Sequence, residues 1–63
     1  MQSADAYRLE RRALAALNGR LHAEVWRLGR AADAPAVAAA RHEIQANERR
    51  IRTIDHVLRI INA

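Results

Sequence analysis

The sequence predicts an all-α fold, an antiparallel two-helix hairpin of coiled-coil type, on three observations. Tyr7, Leu14, Leu21 and Leu28 stand seven residues apart in the first half. Val37, Ile44, Ile51 and Leu58 stand seven apart in the second. The short segment Asp33-Ala34-Pro35 separates the two ladders. Two helices that repeat in sevens across so short a link fold back on each other.

Each element has its own signals. Ser3 is a good N-cap, and Asp5 in the first turn complements the helix dipole. Strong helix formers follow, with no proline before Pro35. Gly19 and Gly29 interrupt them, and Gly29 is either the residue that ends the helix or part of its last turn. Asp33 is the expected N-cap of the second helix, with Pro35 in the first turn, where its missing N–H costs nothing. The expected layout is one domain over residues 1–63: a helix over about 4–30, a turn over about 31–34 and a helix over about 35–62.

With the ladder residues at heptad position a, position d holds Glu10, Leu17, Glu24 and Ala31, then Ala40, Asn47, Ile54 and Ile61. The predicted seam is therefore Tyr7, Leu14, Leu17, Leu21, Leu28, Val37, Ile44, Ile51, Ile54, Leu58 and Ile61. Glu24 and Asn47 fall within about one turn of each other across it, and a polar seam residue fixes register at some cost in stability.

The flanks differ. Positions c and g carry small residues and an apolar cluster near the open end: Leu9, Ala13, Ala16, Ala23, Ala39, Ala46, Thr53, Val57 and Ile60. Arg20, Arg27, Arg30, Glu43 and Arg50 charge that side, with Arg27 level with Glu43. Positions e and b carry Arg8, Arg11, His22, Arg41, Glu48, Arg52, Asp55 and Arg59, with Arg11 level with Asp55. A lone hairpin buries one stripe per helix. Each large apolar side chain left in water forgoes roughly 1.5–3 kcal/mol, so the c and g flank is the predicted partner interface.

Composition narrows the function. The net charge is +4, and all eleven basic residues are arginine, which fits either GC-rich coding or selection for bidentate phosphate contacts. There is no cysteine, hence no disulfide and no thiolate metal site. No apolar run approaches the ~20 residues of a membrane span, and Met1-Gln2-Ser3-Ala4-Asp5 lacks the pattern of a signal peptide. A cytoplasmic protein is expected. His22, His42 and His56 have no i,i+4 spacing for a metal, so neither metal nor cofactor is expected. Glu10 and Glu24 are separated by about 21 Å of helix, too far for a carboxylate acid–base pair. Ser3 and Thr53 have no His-and-acid constellation, and an enzyme is not expected.

The segments Leu9-Glu10-Arg11-Arg12-Ala13-Leu14-Ala15-Ala16-Leu17 and Arg20-Leu21-His22-Ala23-Glu24, then a Gly and Pro turn, then an amphipathic helix ending Val57-Leu58-Arg59-Ile60-Ile61, resemble the small co-chaperones of type III secretion needle subunits. The resemblance lies in length, hairpin form and Leu/Arg/Ala texture, and carries no functional residue over by position. It implies a non-catalytic bacterial subunit that joins a tetratricopeptide-repeat-like chaperone and keeps a needle subunit from polymerising. Two other readings stand beside it. One is a dimeric regulator binding RNA or DNA through Arg8, Arg11, Arg12, Arg49, Arg52 and Arg59. The other is a homo-oligomeric assembly domain.

Overall fold

The computed structural model describes residues 2–62. Two helices pack side by side: α1 spans Ala4–Arg30 and α2 spans Ala34–Asn62. The Ser3 hydroxyl accepts from the Ala6 N–H at 3.1 Å, and the Asp33 carboxylate accepts from the Ala36 N–H at 3.2 Å. Both expected N-caps are therefore in use.

Gly29 lies within the last turn of α1 and does not end it. The left-handed residue of the turn is Ala32, at φ 58°. The Asp33 N–H donates to the Leu28 carbonyl at 3.1 Å and the Ala32 N–H to the Gly29 carbonyl at 3.2 Å. This pair of bonds is a Schellman motif, with alanine at the position glycine usually holds.

Among the described residues the buried apolar ones are Ala40, Ile44 and Ile54, all from the a and d positions of α2. Tyr7, Leu14, Leu17, Leu21, Leu28, Val37, Ile51 and Leu58 are half-buried around them. Ile61, expected in the seam, remains 41% exposed at the open end, beyond the cover of α1.

The contact face of α1 is turned toward position e, so Asn18 is buried and Val25 half-buried. The Asn47 amide donates to the Asn18 carbonyl oxygen at 2.8 Å, and the Asn18 amide donates to the Ile44 main-chain carbonyl at 3.4 Å. Asn47 thus finds its partner in Asn18, and Glu24 pairs instead with Arg27 on its own helix. An amide matches an amide here because each offers both donor and acceptor, whereas a carboxylate would have to be desolvated.

The Cα atoms form a rod of 46 × 16 × 14 Å with a radius of gyration of 14.3 Å, against about 11 Å for a compact chain of this length. The accessible surface is 4659 Å², compared with about 4,100 Å² for a compact protein of this mass. The chain is all surface and one seam.

Candidate partner interface

The heptad phase of each helix decides what stands on the c and g flank. α1 buries a, d and e, which leaves Leu9, Ala13, Ala16 and Ala23 on its far side, and all four are exposed. α2 contributes Ala39, Ala46, Thr53 and Ile60, also exposed, while Val57 is half-buried. Leu9 is 66% exposed and Ile60 63%. The Thr53 hydroxyl donates to the Arg49 carbonyl at 3.1 Å. That bond satisfies its donor within the helix and lets the residue present its methyl group.

Arg50 borders this flank. Its guanidinium grips Glu10 with two bonds, 2.6 and 3.0 Å, and donates to the Gln2 side chain at 3.3 Å. It also lies over the Tyr7 ring, 6.0 Å from the centroid. The Arg50 hydrogen bond holds the Glu10 carboxyl below its ordinary range, against a smaller opposing effect of desolvation. Farther along, the Arg27 fork takes Glu24, whose carboxyl is likewise lowered by that hydrogen bond. Although Arg27 stands level with Glu43 in the heptad scheme, it binds the acid one turn back, because an i,i+3 partner lies on the same surface of one helix. Glu43 and Arg20 stand exposed on the flank with no ion-pair partner among the described residues.

The opposite side is polar. Arg11 grips Asp55 across the helices at 2.6 and 3.3 Å, in keeping with their shared height in the heptad scheme. The Arg11 hydrogen bond, with smaller help from the charges of Arg11 and Arg59, lowers the Asp55 carboxyl. On the same side but nearer the turn, His22, Val25, Arg41, Ile44, Gln45 and Glu48 line an open groove of about 380 Å³. A second hollow, about 570 Å³, lies at the turn beside Ala32, Val37 and Arg41. Neither brings a nucleophile, a base and an orienting acid together. Among the described residues no cluster of three metal-ligating side chains occurs.

The arginines of the sequence-predicted cluster do not gather at the open end, since Arg49 stands near the middle of α2. Arg8 is held by Asp5 at 3.0 Å, and Arg11 is committed to Asp55. Arg12, Arg49, Arg52 and Arg59 are exposed, and none has an ion-pair partner among the described residues. Arg12 and Arg49 occupy f positions on the outer backs of the two helices, while Arg52 and Arg59 share the e and b side.

Sequence reasoning does not single out Asn18 or the Glu10–Arg50 clasp. The signal for Asn18 is a polar seam residue, Asn47, in need of an amide at its own height. Trp26 is 71% exposed at an f position, away from both the seam and the apolar cluster. No helix among the described residues is long and apolar enough to cross a membrane. Comparison with known protein families, with curated proteins and with solved structures finds no match to this chain.

Proposed function

We propose that this protein is a non-catalytic protein–protein interaction subunit, and most concretely a small co-chaperone or adaptor of a bacterial secretion-type assembly. One observation carries the reading: only Ala40, Ile44 and Ile54 form a buried apolar core among the described residues, while Leu9 and Ile60 stand mostly exposed beside an alanine-lined flank. Domains this small rarely obtain more than about 3–5 kcal/mol from a single core. Covering the flank supplies what the seam does not. In this function the hairpin donates a helix face, and association stabilises the complex by mass action. The co-chaperone reading rests in addition on the likeness of helix texture and hairpin form described above.

The test is a molar mass by light scattering on material purified from its native cell, with Ala16→Arg and Ala46→Arg beside the unchanged chain. The expected result is a complex heavier than one chain that both substitutions disperse. Complexes of unchanged mass in both variants, with unchanged circular dichroism, would refute the interface.

A nucleic-acid regulator is the second reading, favoured by Arg12, Arg49, Arg52 and Arg59, four exposed arginines in the half of the rod away from the turn that have no ion-pair partner among the described residues. Opposing it, Arg8, Arg11 and Arg50 are already neutralised by carboxylates, which lowers the local field that phosphates would meet.

A further inference from the structure

We propose that the flank is covered by a second copy of this chain, in a parallel two-fold bundle whose axis runs along the rod. In it α1 of each copy packs antiparallel to α2 of the other. The inference rests on the reading of the flank as an interface, and names its occupant.

The heights of the side chains select this arrangement. Asn18 is level with the stretch from Ile44 to Asn47, since it bonds to both. Arg20 lies two residues from Asn18 toward the turn, and Glu43 lies one residue from Ile44 in the same direction. With a rise of about 1.5 Å per residue, they share one level. Toward the open end, Leu9 and Val57 each lie about 14 Å beyond the asparagines, again level.

A two-fold axis along the rod keeps every height. Leu9 then meets Val57 of the second copy, and Ile60 closes the same cluster. Arg20 faces Glu43 of the second copy, and Glu43 faces Arg20 of the second copy. Since Arg20 and Glu43 lack ion-pair partners among the described residues, the four charges form one alternating ring that sums to zero. The reversed arrangement, with open ends pointing apart, places Leu9 and Ile60 against the turn end. There, counting residues from the middle of each helix, Leu9 would stand level with the stretch from Ala23 to Arg27 and Ile60 level with Ala36, so Leu9 and Val57 would no longer meet across the copies, and Arg20 would move away from Glu43.

The area is sufficient. A flank 46 Å long and 14–16 Å wide presents about 700 Å² per copy, or about 1,400 Å² in both, within the roughly 1,200–2,000 Å² of specific interfaces. Alanines on both helices permit the 8–10 Å approach of packed helices.

The test is a charge exchange on the whole chain. Light scattering of the unchanged protein is expected to give twice the 7.1 kDa of one chain. Arg20→Glu and Glu43→Arg alone each fill the ring with charges of one sign and are expected to raise the dimer dissociation constant at least about tenfold. In a mixture of the two variants, one copy brings two acids to the ring and the other two arginines. Every facing pair is then of opposite sign, so the mixture is expected to recover the dimer. This readout holds even where a single variant loses its helices on dissociation, because mixing then restores the circular dichroism as well. Spin labels on Asn62→Cys are expected to lie closer together than half the 46 Å length of the rod. Single variants that dimerise as the unchanged chain does, a mixture that fails to recover, or labels farther apart would overturn the proposal. A monomer that still binds a different protein through the Ala46 flank overturns the second copy alone; a monomer that binds none overturns the interface reading too.

Discussion

Asn47 and Asn18 hydrogen-bond to each other at 2.8 Å in the middle of an otherwise apolar seam, and Asn18 is only 7% exposed. Removing one partner strands the other. Asn47→Ala is expected to destabilise the fold by about 1–3 kcal/mol. Replacing both asparagines by leucine is expected to recover that loss while loosening the register. Thermal melts measure the first effect, and inter-helix spin-label distances the second. A harmless Asn47→Ala would mean that the pair does not hold the seam.

Ile54 is fully buried at the centre of the core. Ile54→Ala is expected to cost about 2–5 kcal/mol, close to the whole stability of so small a fold. Ile51→Asp, which sets a charge in the half-buried seam, is expected to unfold it. Far-ultraviolet circular dichroism checks both. A normal melting curve for either would mean that the heptad register is wrong.

Ala32 holds a left-handed conformation at φ 58°, which costs a residue bearing a Cβ roughly 1 kcal/mol or more. Ala32→Gly is expected to raise stability, reduced by the extra freedom glycine gives the unfolded chain. Gly19 and Gly29 are helical, and an added Cβ would meet nothing within 4 Å at either. Alanine at each is expected to add about 1 kcal/mol, or about 4–8 °C in Tm for a domain of this size. A drop in Tm at Gly19 or Gly29 would reveal a neighbour not present in the hairpin.

Glu10 and Asp55 are both lowered from their ordinary values of 4.5 and 3.8, chiefly by hydrogen bonds from Arg50 and Arg11. A carboxyl lowered in the folded state stabilises it fully above the ordinary value and loses that contribution as pH falls through the lowered one. Melting temperature is therefore expected to decline as pH falls below about 4.5. Glu10→Gln with Asp55→Asn is expected to flatten the decline, and an unchanged acid slope in that variant would place its origin elsewhere.

Arg12, Arg49 and Arg52 carry no ion pair among the described residues. Changing all three to glutamine is expected to leave protein association intact. A steep salt-dependent affinity for RNA that vanishes with the same change would favour the regulator instead.

Much of this is legible in the residues. The heptads, Ser3 and Asp33 mark the helices and their starts, and equal height pairs Arg11 with Asp55. Asn18 is hidden because it sits at position e, outside a strict a and d grid, and becomes internal only once α1 rotates to bring Val25 inward. Ala32 is hidden because composition favours glycine for a left-handed turn, and the hydrogen bonds of the motif outweigh the alanine's preference. Gly29 draws attention to a place three residues early. Arg50 bridges from g to d, a reach that depends on the length of the guanidinium arm rather than on any repeat. Which partner the flank fits is not written in the periodicity, because the repeat records which positions are apolar and not what they would meet.

The Glu10–Arg50 and Arg11–Asp55 forks stand on opposite sides of the seam, both in the half of the rod away from the turn. Peptide bonds tie the helices at one tip, and two ionic clasps tie them again partway along toward the other. The last turns of α2, beyond Asp55, lie outside both clasps, and because the clasps are exposed ion pairs, each a weak contribution, added salt is expected to slacken the open end before the bend.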